Sequence, residues 1–260
     1  EYTPDNVLIF KFSKSSYDPS SLTTLTGAIW TRISTEPNVW KWDARNVQTT
    51  DWTMAFYRAF TGSPQSSATG YVNIISSGVL TIPTVLGRQQ SPWPGMFREC
   101  LSLTDVCVLR FPNVTFSPQI FNGCKNVNLA GLYVPNTTSL NSAFKAGNNQ
   151  TSNFTHVGQI VTSSALTDVE QMFYGAHNMI EAPYFETSGV RTMKSILYNC
   201  NSIKSIPLYH TDSVNNVDTA FSYCYNVESG ALAMYQQLSS MTNIPGHKNT
   251  FLYCGRDTTT

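Results

Sequence analysis

Six cysteines and four histidines are the most reactive side chains in this chain of 260 residues, and the cysteines are not scattered. Cys100, Cys124, Cys200, Cys224 and Cys254 each follow an anchor residue by three positions, the anchors being Phe97, Phe121, Leu197, Phe221 and Phe251. Two more copies of the pattern, around Phe144 and Phe173, carry Gly147 and Ala176 in that slot. A slot filled by Cys, Ala and Gly alike is cramped and interior, and there a free thiol behaves as a small hydrophobe. Repeats stacked ~5 Å apart hold thiols too far apart for a disulfide, whose Cβ atoms want ~3.5–4.5 Å. The pattern favours reduced, buried thiols over bridges. His156, His177, His210 and His247 match no zinc-ligand spacing, so neither metal nor cofactor is expected. No G-x-S-x-G elbow, phosphate-binding glycine loop or H-E-x-x-H motif occurs. Asp212 and Asp218 have ordinary surface spacing, and a glycosidase pair is defined by geometry, not sequence. The expectation is that this is no enzyme. Asn113, Asn136, Asn149 and Asn153 open N-x-Ser/Thr triplets, which chance supplies in a chain this rich in Asn, Ser and Thr.

The anchors themselves are the strongest signal. At 97, 121, 144, 173, 197, 221 and 251 they are separated by 24, 23, 29, 24, 24 and 30 residues. A period in this range marks a solenoid of small units stacked on copies of themselves. Within one unit, apolar residues recur seven, four and one positions before the anchor, as in Val190, Met193 and Ile196. That spacing predicts one face of a short helix, with Thr187 and Thr211 as caps. Trp93 and Ile244 belong to the same columns. Six, nine and eleven positions after the anchor stand residues such as Ile203, Ile206 and Leu208, predicting a short strand buried on one face. Pro183 and Pro207, at plus ten, must locally cost that strand its pairing. Burial in one unit, at about 1.5–3 kcal/mol per large apolar side chain, only matches the entropy of ordering it. Stability must come from neighbours.

Ile196-Leu197-Tyr198-Asn199-Cys200-Asn201-Ser202-Ile203-Lys204-Ser205-Ile206-Pro207-Leu208-Tyr209 is the clearest copy. It resembles the BspA-like leucine-rich repeats and related bacterial surface-protein repeats, whose pattern runs M-F-x-x-C-x-x-L-x-x-I-P-L-F. Trp42–Val47 followed by Asp51–Ala59 looks like an earlier, stretched copy. The resemblance covers about residues 42–254. It implies a right-handed leucine-rich-repeat-like α/β solenoid of about 24-residue coils, each a short helix plus a short parallel strand. It also implies an extracellular or cell-surface protein engaged in adhesion.

Residues 1–41 break the period and predict an N-terminal β-containing cap, with strands at Val7–Phe12 and Ala28–Ile33; the solenoid would occupy 42–260, clearest over 91–140 and 166–230. All five tryptophans precede residue 94, either plugging the open end of the core or forming a platform for sugars. Residues 147–156 predict a polar loop, and 231–241 a true helix. Glu1 reads as the start of a processed chain whose removed segment could have carried a lipid anchor. Zero net charge, with 12% charged residues, disfavours nucleic acid and anionic membranes. No apolar stretch approaches the ~20 residues of a spanning helix, so this segment is not expected to insert in a membrane.

Ligand contacts should lie where repeats differ, because side chains shared by every repeat do structural work. The varying strand positions Thr104, Asp105, Asn128, Glu181, Lys204, Ser205 and Glu228 are therefore candidate partner-binding residues on the open face. Tyr133, Phe185 and Tyr209, twelve positions after their anchors, form a column that is either an aromatic binding stripe or a packing ladder. The expected function is non-enzymatic binding of a protein or glycan on another cell or surface. A structural spacer, a phage tail or fibre attachment component, and a carbohydrate-active enzyme using the tryptophan-rich region are the alternatives.

Overall fold

The computed structural model describes residues 3–22, 24–33, 36, 38–61, 70–89, 95–147, 154–241 and 246–255. Among these, seven strands form one mixed sheet: β1 (Val7–Phe12), β2 (Ile29–Arg32), β3 (Val39–Asp43), β4 (Val72–Ser77), β5 (Leu103–Arg110), β6 (Asn128–Tyr133) and β7 (Val157–Val161), in the order β2-β3-β1-β4-β5-β6-β7. The first four pair antiparallel and the last four, β4 onward, pair parallel. β1 alternates: Leu8, Phe10 and Phe12 are buried while Lys11 faces out. Phe10 pairs with Trp40 and Leu8 with Trp42, which fixes the ribbon over the end of the parallel strands. Trp42 and Trp52 are wholly buried, Trp40 nearly so, and Trp42 packs on Phe56 at 4.7 Å. These rings plug the core end and offer no platform to sugars; Trp93 lies outside the described residues.

The expected α/β fold class is overturned. The chain is predominantly β, and its single described α-helix is α1 (Ala231–Ser239), in the stretch where the sequence predicts one. The segments around the anchors are not helical turns in a helix-plus-strand, leucine-rich-repeat-like solenoid. They are pairs of consecutive tight turns. Ala143 N–H donates to Leu140 O, Cys124 N–H to Phe121 O, and the same three-residue step recurs in each repeat. Two positions before and two after the anchor the backbone is left-handed, as at Gln119 (φ 59°), Ser195 (φ 54°), Asn199 (φ 61°) and Tyr223 (φ 60°). A left-handed residue every four positions cannot occur in an α-helix and is what a type II turn requires at its second central position. Apolar residues three and four apart suit both structures, hence the misreading. Thr187 and Thr211 accordingly open turns with Val190 and Val214 instead of capping helices.

Those turns free alternate N–H groups to bond the next repeat. Gln119, Phe121 and Gly123 donate to the carbonyls of Asn141, Ala143 and Lys145, and the set recurs down the chain. In five repeats the fifth residue before the anchor holds the turn entrance. Asp51, Ser139, Asp168, Thr192 and Asn216 accept the N–H two residues on. In the repeat of Phe121 that place is taken by Phe116, which cannot accept, and the residue two on is Pro118, which has no N–H to satisfy.

In consequence the anchors pile up. Phe56, Phe97, Phe121, Phe144 and Phe173 stack ring on ring at 5.1–5.4 Å with interplanar angles of 2–13°. Leu197 interrupts the pile, and Phe221 resumes it with Phe251 at 5.1 Å. The cysteine slot proves more than a small apolar space. The thiols of Cys100, Cys124, Cys200 and Cys224 point at the carbonyls of Phe56, Phe97, Phe173 and Leu197, at 2.7–3.1 Å. Each gives the preceding anchor carbonyl a second donor. All six cysteines are free.

In the later repeats the extended half also differs from expectation, whereas Leu132, at plus eleven from Phe121, is buried as expected. Ile203, Ile206 and Tyr209 are buried, a step of three, while Leu208 at plus eleven is 54% exposed. Tyr184 and Leu232 share that exposed register. Beyond β7 the ladder thins to single bridges, Glu181 to Ser205 and Ser205 to Ser229, in the repeats that carry Pro183 and Pro207. A proline without a donor there gives the strand no ladder to extend.

Candidate functional site

The strand-face candidates fall into two groups. In the first, Asp105 pairs with Asn128 across β5 and β6, and the Thr104 hydroxyl bonds the Asn73 side chain. Asn128 is occupied structurally: its carbonyl oxygen accepts the N–H groups of Thr155 and His156. In the second, Glu181 and Ser205 are bridge partners, and Lys204 pairs with Glu228 at 2.7 Å, both well exposed. Among the aromatic column, Phe185 and Tyr209 are interior and present no surface; Tyr209 spends its hydroxyl on Pro183 O at 2.9 Å. Tyr133 alone of the three is exposed. The strand face therefore carries exposed charges. The Asn113 and Asn136 amides bond carbonyls of the preceding repeat, at Thr81 and Pro112. Asn149, Asn153 and most of the expected 147–156 loop lie outside the described residues, as does Ile244.

A concave surface lies along the turns. A groove of about 990 Å³ runs across the repeats of Phe97, Phe121, Phe144 and Phe173. Residues flanking each anchor build it: Arg98 and Glu99, Gln119 and Asn122, Ser142 and Lys145, Glu170 and Gln171. The anchors point inward; beside them Arg98, Glu99, Asn122, Lys145, Glu170 and Gln171 are half-buried along the groove, while Gln119 and Ser142 line it from buried positions. The charges lie in local pairs. Arg98 bonds Gln119 Oε1 at 3.1 Å and meets Glu99 at 3.1 Å; Glu99 also takes Arg58 at 2.7 Å. Lys145 donates to Gln171 Oε1 at 2.7 Å, and Glu170 meets Lys194 at 3.5 Å. Burial pushes the Lys145 ammonium below its usual range, with nearby Glu170 opposing the shift and Arg98 adding to it.

Lys145 also begins an aromatic row. Its Nζ lies 4.9 Å over the Tyr174 ring; Tyr174 stacks on Tyr198 at 4.8 Å, Tyr198 meets Tyr223 at 5.2 Å, and Tyr223 meets Tyr253 at 5.4 Å. Tyr225 flanks the end, and both Tyr225 and Tyr253 are exposed. Burial, then the neighbouring phenols, raises the Tyr198 hydroxyl above its ordinary range. Groove and row share columns of the repeat, so they form one surface. Sequence reasoning passed over it. The signal was present in the position after the anchor, which reads Arg98, Asn122, Lys145, Tyr174, Tyr198 and Ser222, as variable as any strand position.

Among the described residues no group of three or more His, Cys, Asp or Glu side chains is placed to hold a metal ion. No described helix is long and apolar enough to cross a membrane. Fold and surface together define a repeat protein with a polar, aromatic-edged face. Residues 138–247 match a family model described as Mycoplasma protein of unknown function, DUF285. That stretch includes the repeats of 166–230, one of the two clearest runs, and the whole run from Lys145 to Tyr225. No curated protein and no solved structure matched the chain.

Proposed function

We propose that this chain is a non-enzymatic binding module of a cell-surface or secreted protein, contacting a protein or glycan partner through its turn face. One observation carries the reading: the groove and the tyrosine row are built from the residues that vary between repeats, on a backbone that does not vary. Such a surface can be rewritten residue by residue without disturbing the stack, as binding faces of repeat proteins are. The test is a screen of immobilised chain against surface glycans and proteins, repeated with Asn122→Trp, which fills the groove. A double charge reversal, Glu181→Lys with Lys204→Glu, serves as the strand-face control. Binding lost in the first and kept in the second supports the assignment; the opposite pattern refutes it.

A further inference from the structure

We infer that the turn face takes an uncharged, extended, β-linked polysaccharide lying along the stack, one sugar to each repeat. This rests on the reading of the turn face as the binding surface, and adds the class of ligand.

Three observations converge on it. The first is the interval. Successive rings of the row are 4.8, 5.2 and 5.4 Å apart, the same step as the buried phenylalanine pile. A linear ligand meets equivalent chemistry at every step only if its own repeat matches. An extended peptide repeats every two residues, about 6.6 Å, and slips out of register within a few repeats. An extended chain of β-1,4-linked pyranoses advances by about one strand spacing per sugar, so although successive sugars are turned about the chain axis it stays in step with the stack.

The second is charge. The groove lining holds Arg98 and Lys145 against Glu99, Asp168 and Glu170, three carboxylates to two cations, and both cations already have protein partners. With one carboxylate in excess, the lining as a whole disfavours an anionic chain. The third is hydrogen-bonding type. Five side-chain amides line the groove, and four are pinned at one end only by the bonds seen: Gln119 and Gln171 by their oxygens, Gln89 and Asn122 by their nitrogens, to Asp168 and Ser142 O. Gln119 is itself buried, but Gln89, Asn122 and Gln171 offer a donor and acceptors along one lining, as hydroxyls that both donate and accept require. Where the row continues, Tyr174 and Tyr198 lie nearly parallel, but Tyr223 and Tyr253 are turned, by 68° from Tyr198 and 43° from Tyr223. Tyr253, 61% exposed, has the most open ring for stacking against a sugar.

The probes are β-1,4-linked gluco-, manno- and xylo-oligosaccharides of increasing length, with oligogalacturonates as acidic counterparts and a library of extended peptides. Calorimetry should show affinity for at least one neutral series rising about fivefold per added sugar until the face is filled. It should be insensitive to salt and weakened by Tyr253→Ala and by Asn122→Trp. No binding of any neutral series, binding indifferent to length, or tighter, salt-sensitive binding of the acidic chains overturns the inference. If an acidic chain or a peptide binds and Asn122→Trp abolishes it, the turn face stands as the site and the polysaccharide falls. If ligands bind but neither variant changes any affinity, both fall.

Discussion

Phe121 sits mid-pile, ring to ring with Phe97 at 5.1 Å and Phe144 at 5.4 Å, and is 1% exposed. Replacing it with alanine removes a buried aromatic and leaves a cavity that flanking repeats, tied by backbone hydrogen bonds, cannot close. Such truncations cost about 3–5 kcal/mol, and two stacked partners place this one near 5. Phe251 has one stacked neighbour at a 27° angle and is only partly buried, so Phe251→Ala should cost about 2 kcal/mol. Leu197 occupies the same column between Phe173 and Phe221, so the slot accepts leucine, and Phe121→Leu should cost about 1.5 kcal/mol or less. Urea midpoints at constant slope give the three numbers. Amide exchange should show protection lost around residues 97 and 144 and kept around 221, since each repeat leans chiefly on its neighbours. Equal losses for Phe121→Ala and Phe251→Ala, or leucine as costly as alanine, would refute the reasoning.

Three further outcomes follow from local geometry. The Cys200 thiol donates to Phe173 O in a slot that holds Ala176 one repeat earlier, so Cys200→Ala should cost about 1 kcal/mol and Cys200→Val about 2–3, measured by thermal unfolding. Gly123 (φ 75°) stands where other repeats carry Glu99, Asn199 and Tyr223, so Gly123→Asn should be tolerated. By contrast Gly230→Ala would bring a Cβ within 1.9 Å of Ile206 O, and should destabilise the chain sharply in the same assay. Burial raises Cys107 and Cys254 to about 11 and lifts Cys124, Cys200 and Cys224 in the same direction. Unfolded thiols then lose protons first, near 9, so the unfolded state binds fewer protons and stability should fall as pH rises from there through about 11. Urea midpoints that stay level from pH 8 to 10.5 would contradict this.

The pile of anchors was legible because burial imposes it residue by residue: the column at 97, 121, 144 and 173 had to be apolar in every repeat. The helix was misread because periodicity reports which side chains are inside, not which backbone puts them there. Only the left-handed positions separate turns from helix, and residues such as Gln119, Ser195 and Thr219 do not advertise that conformation as glycine would. The strand register failed similarly. Leu208 and Tyr184 are apolar yet exposed, while Tyr209, whose hydroxyl suggests a surface, is interior because Pro183 O is there to receive it. The turn face escaped notice because variation between repeats was weighed only along the extended half. Its chemistry also depends on pairs, Arg98 with Gln119 and Lys145 with Tyr174, that lie 21 and 29 residues apart in sequence.

The hydrogen bonds that join one repeat to the next run in the direction of the pile. Tension applied between the two ends would therefore open them as a zip opens, from the terminal unit inward, instead of loading them all together. Each 24-residue unit released would add roughly 80 Å of slack. A protein tethered at one end and attached at the other would then yield in even increments, lengthening many times over before its grip was tested.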